Sequence, residues 1–187
     1  IDFLQKKFTE IGKYAEGQGD YKTIKYFLKL KLIGFPRINL DLATVSFLEN
    51  EKFESLTFGP QGKFVNNGTY KVLDYDVDED SKIVYVLYQW NGIINSKVQS
   101  QNKDYLIFQK WRLLPGLIEC QLIFQKEIEE EGDVRYSKSI FDTSERVCFV
   151  ERVQEKGGRV SHYVEILSLY DFEPIYSLPG KEIVGLG

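Results

Sequence analysis

The sequence predicts an all-β protein, an antiparallel up-and-down barrel of about ten strands that follows one short helix. Apolar and polar side chains alternate over most of the chain, which is the period of a half-buried strand. Turn-forming residues recur roughly every 8–15 residues, the spacing of strands joined by hairpins. Aromatic residues make up 14% of the chain, and such residues favour strands. Helical segments of ordinary length are not predicted between the strands, so a parallel sheet is disfavoured.

A single domain is expected over residues 1–187, a length that can bury a sizeable core. Residues 171–187 contain two prolines and are predicted to run over the surface as a tail. Residues 1–11 are predicted to form a helix that plugs one end of the barrel, because their apolar residues have helical spacing: Leu4, Phe8 and Ile11.

Several strands are predicted from the alternation. In Tyr26–Leu32 the leucines alternate with lysines, which predicts one half-buried strand. A one-residue slip of the pattern near Ala43 predicts a β-bulge that curves the next strand. Lys82–Trp90 is predicted to be a strand as well, and Arg146–Val153 with Val160–Tyr170 the last long hairpin.

Charge and composition exclude several classes of protein. The net charge is −4 and the charged residues are scattered, which disfavours a nucleic-acid binder. No stretch approaches the roughly 20 apolar residues of a membrane-spanning helix. Cys120 and Cys148 both fall in predicted strands and are interpreted as buried free thiols, which suggests a reducing compartment. We therefore expect a soluble intracellular protein, of the cytoplasm or of a plastid.

His162 is the only histidine, so hydrolytic machinery built on a histidine would have to use it. Alternation places Val160, His162, Val164 and Ile166 on one otherwise aliphatic face. A lone histidine on such a face is usually a satisfied core or rim residue. The alternative is an inward imidazole that ligates iron in an apolar barrel, a normal arrangement for haem.

Two short segments of the chain resemble nitrobindins, which are haem-binding relatives of the fatty-acid-binding proteins. The stretch Gly17-Gln18-Gly19-Asp20-Tyr21-Lys22-Thr23-Ile24 resembles their glycine-rich first strand, although Tyr14 stands where the family has a tryptophan. Val147–Val150, the pair Gly157-Gly158 and His162-Tyr163 look like their last hairpin, whose final strand supplies the proximal histidine. The resemblance covers roughly a fifth of the chain and implies a calycin-like barrel.

The same resemblance implies a function. His162 would be the iron ligand of haem b or a related planar tetrapyrrole, and peroxynitrite isomerisation would be a possible activity. The candidate pocket residues lie on or beside the two matching segments: Tyr14, Tyr21, Ile24, Tyr163, Val164 and Ile166.

Two alternatives remain open. One is a carrier or chaperone without iron, for a fatty acid or a bilin, in which an inward Arg146 would pair with a ligand carboxylate. Glu145-Arg146 and the glycine pair also resemble the S-type phycobiliprotein lyases, which would imply a protein acceptor for the bilin. The other alternative is a β-sandwich interaction module with a filled core, in which tyrosine and tryptophan form an exposed patch.

Overall fold

In the part of the chain that the computed structural model describes, twelve strands form three antiparallel sheets of four strands each. The structure describes residues 24–36, 42–47, 53–65, 67–95, 100–116, 119–130, 133–181 and 183. The first sheet contains β1 (Lys25–Phe27), β2 (Leu32–Pro36), β3 (Leu42–Phe47) and β4 (Phe53–Phe58). The second contains β5 (Gly68–Asp78), β6 (Ile83–Asn95), β7 (Ser100–Leu113) and β8 (Cys120–Glu130). The third contains β9 (Asp133–Asp142), β10 (Val147–Lys156), β11 (Arg159–Ser168) and β12 (Pro174–Pro179).

Within each sheet, strands that are consecutive in the chain are paired, so each sheet is a meander. The prediction of an all-β, antiparallel fold is therefore confirmed. Within the described ranges each sheet is open, and the predicted closure into one barrel is not seen there. A single 3₁₀ turn at Gly62–Phe64 is the only helical element in the same ranges. The helix predicted for residues 1–11 lies outside them.

The second sheet lies between the other two and is buried on both faces. Its strand β6 shows this directly, because five consecutive side chains, from Val84 to Tyr88, are buried. Val84, Val86 and Tyr88 belong to a core shared with the first sheet. Tyr85 and Leu87 belong to a separate core shared with the third sheet. Successive side chains of a strand point to opposite faces, so one strand supplies both cores.

The first core, between the first and second sheets, is rich in aromatic rings that also have polar partners. The Tyr88 hydroxyl donates to the Phe58 carbonyl at 2.6 Å, and the Trp90 indole N–H donates to the Phe64 carbonyl at 3.2 Å. Burial of a phenol or an indole is favourable only when its polar end is satisfied in this way. These bonds fix the 3₁₀ turn and β4 on the second sheet.

The second core, between the second and third sheets, is filled by stacked rings. Phe108 of β7 and Phe172 lie parallel with their centroids 4.3 Å apart. Phe172 is completely buried although it falls in the segment predicted to be a surface tail. That segment also contains β12, which pairs with β11. Residues 174–179 of the predicted tail thus form a largely exposed edge strand, because two prolines can bound an edge strand as well as a loop.

The second and third sheets approach each other along both sides of this core. On one side, the Phe141 amide of β9 donates to Asp74 of β5 at 3.2 Å. On the other side, the Lys126 ammonium of β8 forms an ion pair with Glu173. Strands β5–β12 thus surround the second core, and the first sheet covers the opposite face of the second sheet.

The strand predicted at Tyr26–Leu32 is interrupted by a turn. Glu79 accepts hydrogen bonds from the Lys29 and Leu30 amides at 2.6 and 3.1 Å, and Lys31 has a φ of 50°. Leu28 is 71% exposed as a result. The bulge predicted near Ala43 is also absent, since the β2–β3 and β3–β4 ladders are regular.

Candidate functional site between the second and third sheets

His162 lies on β11 and is exposed. It shares a strand face with Val160, which is 56% exposed, and with Val164, which is buried. In the β10–β11 ladder His162 is opposite Val153. The prediction that these residues share one face agrees with the register, but the inward orientation predicted for the imidazole is wrong.

The register explains the orientation of His162. The β11 side chain in the second core is Leu167, which has the opposite parity to His162. Leu167 is opposite Cys148, which belongs to the same core. Val160, His162, Val164 and Ile166 therefore lie on the outer face of the third sheet. The pattern identified the residues that share a face, but it could not identify which face meets the second sheet.

The remaining predicted pocket residues are dispersed. Arg146 is exposed in the β9–β10 turn, where its φ is 57° and its carbonyl accepts from the Leu169 amide. It lies at the opposite end of the third sheet from His162, about 20 Å away along the strands. Ile24 precedes the first sheet and is 42% exposed. Tyr14 and Tyr21 lie outside the described residues.

The predicted iron ligand and pocket residues of β11 are divided between the two faces of the third sheet. His162 shares the outer face with Val164 and Ile166, whereas Tyr163 lies on the inner face of the same strand. Among the residues that the structure describes, there is no group of three or more histidine, cysteine, aspartate or glutamate side chains that could hold a metal ion. The same ranges include no helix that could cross a membrane.

A cluster of ionisable side chains lies instead between the inner face of the third sheet and strand β8 of the second. Its members are Glu130 of β8, Tyr136 of β9, Arg152 of β10 and Glu165 of β11, which we call the Arg152 cluster. The Arg152 guanidinium and the Tyr136 hydroxyl both donate to Glu130. Glu165 lies 3.6 Å from the other terminal nitrogen of Arg152. Tyr163, one of the predicted pocket residues, is opposite Arg152 on this face.

A β-bulge brings this cluster together. The β9–β10 register shifts by one residue between Glu151 and Arg152, where Ser137 of β9 is passed over. Tyr136 and Ser139 are an odd number of residues apart, so a regular strand would point them to opposite faces. The bulge places Tyr136 opposite Arg152 and Ser139 opposite Val150, and both side chains then face the second core. Bulges are frequent where a side chain must be re-aimed.

The Arg152 cluster is largely withdrawn from water. The exposed fraction of the side chain is 4% for Glu130, 22% for Arg152 and 24% for Glu165. Burial raises the pKa of Glu165, and the charge of Glu130 raises it further, while Arg152 opposes both effects. Burial also raises the pKa of Tyr136, so this phenol remains a hydrogen-bond donor at neutral pH. Burial alone would lower the pKa of Arg152, but the neighbouring carboxylates raise it above its ordinary value.

Two buried donors in this region have unfilled hydrogen-bonding capacity. Within the described part of the chain, the Ser139 hydroxyl and the Nε of Arg152 are the buried side-chain polar atoms that lack a partner. Both lie on the inner face of the third sheet, on adjacent strands. Leaving such an atom unpaired costs about 1–3 kcal/mol, so an acceptor that reaches it gains that amount. The cluster can therefore receive an oxygen-bearing group.

Analysis of the sequence missed the Arg152 cluster. The sequence pattern that could have revealed the cluster is the order of Val134, Tyr136, Ser139 and Phe141. The alternation of inward-facing residues changes parity after Tyr136. That slip predicts a bulge in β9.

Comparisons with known proteins do not assign the chain to a family. No protein-family model matches it, and a search of curated proteins finds no match. The fold and the cluster define a β-rich protein with a polar site between two sheets.

Proposed function

We propose that the protein binds a small apolar carboxylic acid, with Arg152 as the anchor of the ligand's carboxylate. This proposal keeps the iron-free carrier among the functions predicted from the sequence, and it moves the anchor from Arg146 to Arg152. The observation that carries it is the buried Nε–H of Arg152, which lacks a hydrogen-bond partner while the two terminal nitrogens of the guanidinium face Glu130 and Glu165. A carboxylate is the group that best matches the planar guanidinium donors.

The packing of the second core limits the size of the ligand. Phe108, Phe172 and Val150 are completely buried in it, and the two rings are in contact. The ligand would therefore occupy the end of the core near Arg152. Its apolar part would lie against Val134 and Ile128, which flank the cluster and pack in the same core.

The arrangement of strands supports the same proposal. In this interpretation the second and third sheets are the two halves of a calycin-like barrel, and the ligand enters between their edges at the polar end. Small-molecule sites have this character, with apolar walls and a few converging polar groups.

A titration tests the proposal. Benzoate would be added to the ¹⁵N-labelled protein while amide chemical shifts are recorded, with benzamide as the uncharged control probe. We expect benzoate to shift the amides of β9–β11 near Arg152, and benzamide to bind more weakly because it lacks the charge.

Substitutions then identify the anchor. Arg152→Lys keeps a positive charge beside Glu130, whereas a neutral residue would leave a buried carboxylate unpaired at a cost of about 3–5 kcal/mol. We expect Arg152→Lys to weaken benzoate binding about tenfold or more, since a charge-assisted hydrogen bond contributes about 1.5–3 kcal/mol. Arg159→Lys, at an exposed position of the same sheet, is the matched control. Equal benzoate binding by both variants would exclude Arg152 as the anchor.

A further inference from the structure

We infer that a carboxylate bound at Arg152 is accompanied by one proton, which Glu165 takes up. The inference rests on the proposed function and concerns its regulation. It follows from the count of charges around Arg152, which already has two carboxylates for one guanidinium. A ligand carboxylate would be the third negative group around a single positive one in a partly desolvated space, which is strongly unfavourable.

The geometry identifies Glu165 as the group that accepts the proton. Glu130 is almost completely buried, and each of its two carboxylate oxygens accepts a hydrogen bond, one from Tyr136 and one from Arg152. Glu165 is farther from Arg152, at 3.6 Å, and is more exposed than Glu130. A ligand carboxylate that accepts from Nε adds a third negative charge beside the guanidinium, whose two terminal nitrogens already face Glu130 and Glu165. Of these two carboxylates Glu165 is the one held at the longer distance, so it is the one that the added charge favours as the neutral acid.

The groups around Glu165 come from four strands. Arg152 of β10 attracts the Glu165 charge, and Glu130 of β8 repels it. Tyr136 of β9 is neutral, and its hydroxyl donates a hydrogen bond to Glu130. Asp104 of β7 is opposite Glu130 in the ladder and accepts a hydrogen bond from Asn91 at 2.7 Å. On β11 itself, Tyr163 lies on the same face as Glu165. Arg152 is the only cation among these described neighbours.

The pH dependence of binding has a definite sign. Glu165 already has a raised pKa in the free protein, and a bound carboxylate raises it further. Below the pKa of the free protein Glu165 is protonated in both states, so the affinity is constant. Between the two pKa values one proton enters with each ligand, and the affinity falls about tenfold for each unit of rising pH.

The experiment measures benzoate affinity of the full chain between about pH 5.5 and 8, a range in which the probe itself stays ionised. Calorimetry in two buffers with different ionisation enthalpies gives the number of protons taken up. We expect wild-type affinity to fall as the pH rises, and proton uptake to approach one per ligand. Glu165→Gln is expected to bind with an affinity that does not change with pH and with no proton uptake. Glu151→Gln, on the outer face of the same sheet, should behave as the wild type.

Failure of the inference and failure of the proposed function give different results. Benzoate binding at Arg152 that is independent of pH in the wild type would overturn the proton uptake and leave the carboxylate site intact. Proton uptake that persists in Glu165→Gln would assign the proton to another group and overturn the role of Glu165. No benzoate binding at any pH would overturn the carboxylate site itself, and the proton uptake with it.

Discussion

The guanidinium of Arg152 on β10 donates a hydrogen bond to the carboxylate of Glu130 on β8 and so joins the third sheet to the second. The pair lies where the apolar core between these sheets ends. Only 4% of the Glu130 side chain is exposed to solvent. Breaking such a pair leaves an uncompensated buried charge. The same pair therefore fixes the distance between the two sheets and holds Arg152 in place for a ligand.

The Glu165 carboxyl beside Arg152 should make stability depend on pH. Because the pKa of Glu165 is raised on folding, the protonated acid stabilises the fold below the ordinary value of 4.5, and this contribution is lost as pH rises through the folded pKa. We expect Glu165→Gln to gain stability relative to the wild type as pH increases from that value to neutrality. Urea unfolding at several pH values measures the difference. Glu145→Gln, in an exposed turn, should show no such trend.

The stacked rings of the second core should dominate its stability. Phe108→Ala removes the ring that lies 4.3 Å from Phe172 and leaves a cavity, so we expect a loss of about 3–5 kcal/mol in the free energy of unfolding. Ile175→Ala, at a residue of the edge strand that is 59% exposed, should change it by less than about 0.5 kcal/mol. Equal losses from both variants in urea unfolding would contradict the assigned core.

The tyrosine at position 75 should anchor the first sheet to the second. Its hydroxyl accepts from the Lys25 amide at 2.8 Å and donates to the Gly34 carbonyl, and both partners belong to the first sheet. We expect Tyr75→Phe to cost about 1–3 kcal/mol, because buried groups lose a partner. Hydrogen exchange of the Lys25 amide should become faster. Tyr176→Phe, at a residue that is 60% exposed, is the control and should leave that exchange rate unchanged.

The close approach of two glycines should be essential for the pairing of β5 with β6. A Cβ on Gly68 would lie 2.3 Å from the Asn91 carbonyl oxygen and 2.8 Å from Cα of Gly92, and both of these are backbone atoms. We expect Gly68→Ala to separate the strands locally and to alter the fluorescence of Trp90, whose ring is also within 2.7 Å of that Cβ. Gly157→Ala, in an open turn with a φ of +60°, should destabilise the protein without changing this fluorescence.

Because it is exposed, His162 should be dispensable both for stability and for ligand binding. We expect His162→Ala to change the free energy of unfolding by less than about 0.5 kcal/mol and to leave benzoate affinity unchanged. Haemin added to the two proteins should give the same absorbance spectrum. A Soret band present in the wild type and lost in the variant would instead restore the iron-ligand hypothesis.

Local patterns in the sequence predicted the strands more successfully than the site. The continuous apolar run from Val84 to Tyr88 predicted a strand, but its burial on both faces was not predicted. A run without polar residues is the pattern of a strand that is buried on both faces. The turn at Leu28–Lys31 was missed for another reason, since Glu79, about 50 residues away in the chain, holds it by accepting from two backbone amides. A contact of that kind leaves no trace in local alternation.

The sequence alone determined that this chain forms antiparallel strands joined in order, because alternation and turn residues act over a few neighbours. It also determined that Val160, His162, Val164 and Ile166 share a face. Only the tertiary structure decided that this face points away from the second sheet, and that Arg152 and Glu165 point toward it. The physical reason is that an alternating strand has two equivalent faces until another sheet covers one of them, and the covering sheet comes from a distant part of the chain.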